Sequence, residues 1–356
     1  MRYLTRKGVA AATRIISEDN AQFIIGGFRT ESVLAYQEVI MDNEKLFIAT
    51  GTATDLFCEK LNGTGYDRYK YFFRNMPINA SALAGELVSF YVYLKAYMTA
   101  ALGKNFTNVA IIREDLSWTE SISAGLNYYL PMFGYNVVKE IAFPITAEAA
   151  DFATYWQQID DSGAQLCVPV ISAQGGILMT TQYAAAQPGC LIAGIDVMAQ
   201  LETYWEETDG GCEYEISLSP TERTNKTSKT VPFWDAFTTK YGADPLYTAV
   251  GSYDAMYILK KGISDAQSFN STEIIPFLEA LTPANPLEGA NGHIAFTPWH
   301  DAFEGYDAGT GMIYSVTLMV QWQDGVKEVL ATGGAVYPDH LATASIQIPS
   351  WGINDP

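Results

Sequence analysis

The chain has 356 residues, of which 48% are hydrophobic, and 40 acidic against 21 basic residues give it a formal net charge of −19. This hydrophobic fraction excludes a disordered chain, and the length favours two domains. The negative charge excludes nucleic acid and an anionic membrane surface as expected partners, because it would repel both.

The first third of the chain alternates between helical and strand patterns. A charged start and an amphipathic helical pattern over residues 1–20 do not match a signal peptide, so on this evidence alone the chain would stay in the cytoplasm. AQFIIGG at 21–27 then predicts a strand, TESVLAYQEVIMDN at 30–43 a helix, and KLFIAT at 45–50 a second strand. An irregular stretch follows.

The next helix, residues 81–103, is long and apolar enough to suggest a membrane span. Glu86 and Lys95 within it favour instead an amphipathic helix packed on a core. No membrane insertion is therefore predicted for this chain.

After Asn105 the alternation restarts. The predicted strands are NVAIIRE, YNVVKEIAF, AQLCVPVIS, CLIAGID and EYEISLS, and the helices between them are SWTESISAGLNYYLPMFG, AEAADFATYWQQIDDSG, GGILMTTQYAAA and AQLETYWEET. The polar stretch at 219–230 is typical of a linker, and helices at 231–240 and 247–263 precede a strand-rich end. This order predicts an α/β protein with two doubly wound segments.

Motifs for catalysis and metal binding are missing from the sequence. It contains no P-loop, no GxSxG and no HExxH, and the adjacent carboxylates, such as Glu114-Asp115, are interpreted as solvated surface. The four cysteines and three histidines lack the spacing of a metal site. No enzyme activity, cofactor or metal is predicted.

Ligands of α/β proteins bind at the carboxyl ends of parallel strands. The candidate binding residues just past the predicted strand ends are Phe28, Arg29, Thr30, Thr50, Gly51, Thr52, Trp118, Ile171, Ser172 and Asp196. If the two doubly wound segments form two lobes that face each other, hydroxyl and backbone N–H groups of the first lobe lie opposite a carboxylate and an aromatic ring of the second. Such a set of groups suits a small zwitterion. Other roles stay open: Thr52 or Asp196 as a helix N-cap, and Trp118 as a core residue.

Several segments, in this order, resemble one family. They are GVAAATRIISEDNAQFIIGGF, KLFIATGTATDLF, FFRNMP at 72–77, NVAIIRED, CLIAGID, GSYDAMYILKKGI at 251–263 and GHIAFTPWHDAF at 292–303. Together they resemble the solute-binding proteins of ABC importers with the type I periplasmic fold, in the branch that binds leucine, isoleucine and valine.

The resemblance assigns roles to some of the candidates. Thr30 stands at the family's carboxylate-binding serine, and Thr50, Gly51 and Thr52 fall in its carboxylate-binding backbone segment. Trp118 stands at an aromatic position and Asp196 at the acidic position that faces the ligand ammonium. A second tyrosine of the family has no counterpart among residues 170–172.

Phe28 and Arg29 are atypical of a pocket for an aliphatic amino acid. Arg29 either pairs with a second carboxylate of the ligand or lies in solvent.

The resemblance implies capture of a solute by two lobes that close about a hinge, and delivery to the membrane permease of an ABC importer outside the cytoplasm. An alternative is a ligand-sensing receptor of the same fold for an amide or carboxylate. Lobe I is expected at 1–106 and 228–315, and lobe II at 107–227 and 316–356, with crossovers near 104–107, 226–230 and 314–317.

Two more expectations concern the termini and the cysteines. In the family, a strand, a helix and a second strand precede the segment where this sequence begins, so the first lobe is expected to lack these elements together with the signal or anchor. Cys190 and Cys212 lead into neighbouring predicted strands and are candidates for a disulfide, whereas Cys167 is expected to be buried and free.

Overall fold

The computed structural model describes residues 2–173 and 175–355, and these form two compact units. Unit 1 contains the chain up to Ala80 together with Arg223–Val316, and unit 2 contains Ser81–Glu222 and Thr317–Pro356. The lobe boundaries expected from the sequence differ from these units in placing the helix of residues 81–103 in lobe I, and they remain a prediction.

The helices and strands are numbered in chain order. The helices are α1 (Arg2–Ser17), α2 (Thr30–Asp42), α3 (Leu56–Glu59), α4 (Tyr66–Tyr69), α5 (Ala80–Leu102), α6 (Ser117–Tyr129), α7 (Ala149–Asp161), α8 (Gly176–Ala186), α9 (Tyr204–Glu207), α10 (Thr230–Tyr241), α11 (Tyr247–Ala266) and α12 (Ser271–Glu279). The strands are β1 (Phe23–Gly26), β2 (Leu46–Ala49), β3 (Phe72–Arg74), β4 (Asn108–Glu114), β5 (Asn136–Phe143), β6 (Leu166–Ile171), β7 (Leu191–Asp196), β8 (Ile216–Ser219), β9 (Leu287–Glu288), β10 (His293–Ile294), β11 (Tyr306–Asp307), β12 (Met312–Ile313), β13 (Leu318–Gln323) and β14 (Val326–Val329).

Unit 1 is built on a parallel sheet with the strand order β1-β2-β3. Every residue of β2 is buried, as expected for the apolar run LFIA in a strand covered on both faces. The core contains residues of α1 and α2, such as Ile16 and Val33, and of α11 and α12, such as Ile258 and Ile274. The carboxyl ends of the three strands therefore lie at one edge of a well-packed layer.

Unit 2 is built on a larger sheet with the order β14-β13-β8-β7-β6-β4-β5. The strands from β8 to β5 are parallel, and β13 pairs antiparallel with both β8 and β14. All residues of β6 and β7 are buried, and Trp156 and Tyr183 pack in the core beside them. The predicted α/β class with parallel sheets and the five predicted strands of this segment are confirmed.

One local prediction is corrected, and two elements were missed. Only Tyr204–Glu207 of AQLETYWEET is α-helical, because the backbone N–H of Met198 donates to the Asp196 carboxylate and the chain forms a short 3₁₀ turn first. Strand β3 was not predicted because three residues are too few to show a period. Helix α12 was not predicted either, although Asn270 caps it by accepting from the N–H of Thr272.

The stretch at 219–230 is not a solvated linker. Thr221, Glu222, Thr224 and Lys226 are all buried. The Lys226 ammonium donates to Val316 O at 2.7 Å and to Asn291 Oδ1 at 3.3 Å, so the polar composition reflects hydrogen bonding within the protein.

Helix α5 packs in unit 2 through residues such as Leu87 and Leu94, which are fully buried. Its two charged residues are both hydrogen-bonded: Glu86 accepts from Thr317, and Lys95 donates to Phe133 O and Gly134 O at 2.9 and 2.7 Å. Among the helices of the described chain, none combines the length and the apolar character needed to cross a membrane.

All four cysteines are buried and free, so the Cys190–Cys212 disulfide expected from the sequence is not formed. Cys190 lies in the core with Trp156 and Tyr183, whereas Cys212 packs with Tyr204 and Trp322 in a separate cluster. Parallel strands that are neighbours do not by themselves bring the side chains at their starts into disulfide geometry. Cys167 is buried and free, as expected.

Candidate solute-binding residues

In unit 1 the segments that follow β1 and β2 pack directly against each other. The backbone N–H of Thr50 donates to Gly26 O at 3.1 Å. A Cβ atom on Gly51 would lie 2.1 Å from Gly27 O, so only glycine fits at position 51. This contact brings together the predicted residues Phe28–Thr30 and Thr50–Thr52.

The first of these segments leads into the N-terminus of α2. Thr30 is the first residue of this 13-residue helix and is buried, Arg29 precedes it in extended conformation and is half-buried, and Phe28 is 41% exposed. The first turn of a helix directs N–H groups and a positive partial charge outward. This end of the sheet is therefore suited to an anion such as a carboxylate.

The second segment carries buried polar atoms that have no partner within the described protein. The Thr52 side chain is fully buried and its hydroxyl oxygen makes no hydrogen bond. Asn75 follows β3 and donates its Nδ2 to Gly251 O at 2.8 Å, which leaves its buried Oδ1 as an unpaired acceptor. Because buried polar atoms are nearly always paired, these two atoms are candidates for hydrogen bonds to a bound molecule. Sequence reasoning missed Asn75 because it missed β3.

Arg74, the last residue of β3, fixes the second segment in place. Its Nη1 donates to Thr52 O at 3.1 Å and to Thr54 O at 2.8 Å. Its other nitrogens bind the Asp301 carboxylate, with Nε–Oδ1 at 2.7 Å and Nη2–Oδ2 at 2.5 Å. The backbone next to Thr52 is thus held by a fully buried guanidinium.

In unit 2, three of the predicted residues have clear structural roles. Trp118 is the second residue of α6 and is half-buried. Ile171 ends β6 with its side chain fully buried in the core, and its carbonyl accepts from Val197 N at 3.1 Å. Ser172 donates both its backbone N–H and its hydroxyl to Glu114 Oε2, at 2.9 and 2.6 Å.

Glu114 is therefore not the surface residue that the sequence suggested. It is the last residue of β4 and is fully buried, whereas its neighbour Asp115 is exposed. Adjacent residues at a strand end point in opposite directions, so a pair of neighbouring carboxylates can have one buried and one solvated member. The sequence-based prediction assigned both residues to the solvated surface.

Asp196, the last residue of β7, is also fully buried. Its Oδ1 accepts from Met198 N at 2.8 Å and its Oδ2 from the Tyr204 hydroxyl at 3.1 Å, so the side chain caps the turn that follows. Burial raises the pKa of Asp196 to about 7; these two hydrogen bonds lower it and the nearby Glu114 charge raises it.

The Asp196 carboxylate lies against the start of α8. A Cβ atom on Gly176 would lie 2.7 Å from both of its oxygens, so any other residue at the first position of this helix would displace the carboxylate. In the sheet order β7-β6-β4, Asp196 lies at one strand end and Trp118 follows the strand two places away.

Comparison with known proteins identifies the class. A sequence model of the periplasmic binding proteins matches residues 3–306, and the chain belongs to this family. The family resemblance and the type I α/β fold predicted from the sequence are therefore confirmed.

Solved structures share the fold over nearly the whole chain. A leucine binding protein, LivK, from Thermotoga maritima has a TM-score of 0.72 at 15% identity and covers 95% of this chain and 86% of its own. A solute binding protein of an ABC transporter from R. palustris, in complex with benzoate, has a TM-score of 0.72 at 15% identity, with 96% and 84% covered. LivJ from Streptococcus pneumoniae, in complex with isoleucine, has a TM-score of 0.70 at 14% identity, with 91% and 82% covered. No curated protein sequence matches the chain.

Proposed function

We propose that this chain is an extracytoplasmic solute-binding protein that captures an amino acid or a similar small zwitterion and delivers it to the permease of an ABC importer. The observation that carries the proposal is that the strand ends of each unit carry groups suited to one part of such a solute. Unit 1 offers a helix N-terminus and the unpaired Thr52 hydroxyl, and unit 2 offers the Asp196 carboxyl. Membership of a solute-binding family supports a binding role rather than catalysis.

The solute carboxylate binds at unit 1 in this proposal. The backbone N–H groups at the start of α2 and beside Gly51, with the hydroxyls of Thr30 and Thr52, are donors for its oxygens. Hydrogen bonds to a charged group contribute about 1.5–3 kcal/mol each, against about 8 kcal/mol for micromolar binding, so these donors supply part of the affinity and the rest comes from other contacts. Thr50 is not one of these donors, since its backbone N–H donates to Gly26 O at 3.1 Å and its hydroxyl lies 3.5 Å from that of Ser252.

The solute ammonium binds at Asp196, with Trp118 covering an apolar part of the solute. The ammonium supplies the cation that this buried carboxyl lacks among its hydrogen-bond partners. Asn75 Oδ1 is an additional acceptor for a donor group of the solute. Ser172 acts indirectly, since Glu114 already accepts its hydroxyl.

A second candidate is a receptor of the same fold for a carboxylate or amide without an amine. The observation that favours it is the engagement of Asp196 by Met198 and Tyr204, together with its raised pKa of about 7, because a protonated carboxyl does not attract an ammonium. The R. palustris solute binding protein was solved with benzoate, which supports a carboxylate as the ligand but not a receptor role, since that protein belongs to an ABC transporter.

A thermal-shift screen separates the two classes of ligand. We expect L-leucine, L-isoleucine or another α-amino acid to raise the melting temperature, because a ligand that binds only the folded state stabilises it. Stabilisation by benzoate or 4-hydroxybenzoate alone would favour a carboxylate ligand without an amine and contradict the amino-acid proposal. Loss of uptake of the bound solute on deletion of the gene would then support transport over sensing.

A further inference from the structure

Asp196 belongs to a buried cluster in unit 2 that also contains Thr180, Tyr204 and Glu215. The Tyr204 hydroxyl lies 3.1 Å from Asp196 Oδ2, 3.3 Å from Glu215 Oε2 and 2.7 Å from Thr180 Oγ1. Thr180 Oγ1 is in turn 2.7 Å from Glu215 Oε2. One phenol hydroxyl thus connects two carboxyl groups, and all four side chains are fully buried.

The hydroxyl protons are too few to satisfy two carboxylates. Thr180 and Tyr204 carry one proton each, and these have to serve Asp196 Oδ2, Glu215 Oε2 and the contact between the two hydroxyls. Glu215 Oε1 is buried without a partner in the described protein. A carboxylic acid proton on the pair supplies the missing donor.

The described surroundings of the pair offer no positive charge to replace that proton. Within the described residues, no Lys, Arg or His side chain forms an ion pair with Asp196 or Glu215. The titratable groups that face the pair are Glu114 on β4, Cys212 beside Tyr204, and Cys167 and Tyr183 beside Glu215. Each of these is neutral or negative, so two ionised carboxylates would repel each other in a dry site.

We infer that Tyr204 and Glu215 are positioning residues that set the protonation of Asp196, so that a solute ammonium binds there with release of a proton to solvent. This inference rests on the proposed function. Glu215 carries the acid proton in this inference, because its Oε2 lies between the hydroxyls of Thr180 and Tyr204; burial and the Asp196 charge also raise its pKa well above the ordinary value. The Tyr204 hydroxyl then donates to Asp196 when Asp196 ionises.

The first test uses the free protein. Infrared spectroscopy at pH 7.5 is expected to show the C=O band of a protonated carboxyl that disappears in Glu215→Gln, with the Tyr135→Phe variant as control. Tyr135 is another buried tyrosine of unit 2, and its hydroxyl donates to Tyr91 O at 2.7 Å, away from the pair. An unchanged spectrum in Glu215→Gln overturns the inference whatever the solute is.

The second test is calorimetric titration with L-leucine at pH 6, 7 and 8, in buffers of different ionisation enthalpy. Since the pKa of Asp196 is raised to about 7, we expect release of about half a proton per solute at pH 7 and a roughly tenfold loss of affinity from pH 8 to pH 6. Binding without buffer dependence overturns the inference but leaves the proposed function intact. An absence of leucine binding counts against both the proposed amino-acid solute and the release of a proton on binding. The infrared result still decides whether the Asp196–Glu215 pair holds a carboxylic acid proton.

The two positioning variants are expected to affect the pH profile differently. Tyr204→Phe removes a donor to Asp196 and shifts the profile to higher pH, so affinity at pH 7 falls. Glu215→Gln replaces a protonated carboxyl by a neutral amide that is also a donor, so the profile is expected to stay close to that of the wild type. An unchanged profile in Tyr204→Phe, or a shift to lower pH in Glu215→Gln, which would show that Glu215 is ionised in the wild type, would refute the assignment.

Discussion

Arg74 and Asp301 form a bidentate ion pair inside unit 1, with Nε–Oδ1 at 2.7 Å and Nη2–Oδ2 at 2.5 Å. The guanidinium is fully buried, and its remaining nitrogen binds the carbonyls of Thr52 and Thr54. One side chain therefore joins the core of unit 1 to the segment proposed to bind the solute carboxylate. We therefore expect stability and solute binding to be coupled at this residue.

Replacing Arg74 by leucine is expected to lower the free energy of unfolding by about 3–5 kcal/mol, because it leaves the buried Asp301 carboxylate without its counter-charge. Solute affinity is expected to fall as well, since the Thr52–Thr54 backbone loses its donor. Chemical denaturation and calorimetry measure the two effects. The matched control is Arg223→Leu, which breaks the exposed ion pair with Asp235 and should change neither. Equal behaviour of the two variants would show the prediction to be wrong.

The glycines at the strand and helix ends give a steric test. Gly176→Ala places a methyl group 2.7 Å from the Asp196 oxygens and is expected to weaken solute binding at least tenfold by displacing that carboxylate. Gly85 lies within helix α5, where a Cβ atom would meet no neighbouring atom within 4 Å, so Gly85→Ala is the control. We expect it to stabilise the fold by about 0.5–1 kcal/mol without changing affinity.

The sequence was most informative where the fold repeats a simple unit. The apolar runs of β4, β6 and β7 predicted a parallel sheet, and position at a strand end selected Asp196 and Thr52. The sequence was least informative where tertiary contacts determine the partners of a side chain. Nothing in the local pattern shows that Tyr204 bonds to Asp196, because that contact depends on the 3₁₀ turn between them.

The sequence also did not predict which charged residues are buried. Glu215 immediately precedes β8, and its neighbours in the sequence do not show that it is buried. It is a buried member of an acid pair because Thr180 of α8 and Tyr204 of α9 contact it. Charge in a sequence predicts exposure on average, and residues that break this rule tend to lie at functional sites.

Thr52→Val is expected to separate folding from binding. The Thr52 hydroxyl has no partner in the described protein, so its loss should leave the free energy of unfolding unchanged or slightly higher. Solute affinity should fall by about 1–2 kcal/mol if this hydroxyl donates to the solute carboxylate. Thr30→Val should cost about 1 kcal/mol in affinity, because backbone donors remain. Unchanged affinity in Thr52→Val would remove this residue from the site.

Asp196→Asn is expected to weaken binding of an α-amino acid by about 2 kcal/mol or more, because the solute ammonium is left without a counter-charge in a buried site. Binding of benzoate, if it occurs, should be unaffected or improved. Calorimetry with both solutes makes the comparison. An amino-acid affinity equal to that of the wild type would contradict the proposed role of Asp196.

The acid pair also predicts how the stability of the free protein depends on pH. The folded-state pKa values of Asp196, at about 7, and of Glu215 lie above those of the unfolded chain, so folding favours the protonated forms. Their contribution to the free energy of unfolding is then complete below about pH 4, where the unfolded chain titrates, and declines as the pH rises above this value; the contribution of Asp196 is lost as the pH rises through about 7. Glu215→Gln removes one titrating group and is expected to flatten this decline between pH 4 and pH 8, as measured by urea denaturation. Glu207→Gln, at an exposed position on α9, is the control and should reproduce the wild-type slope. A slope in Glu215→Gln as steep as in the control would show that Glu215 is ionised in the folded protein.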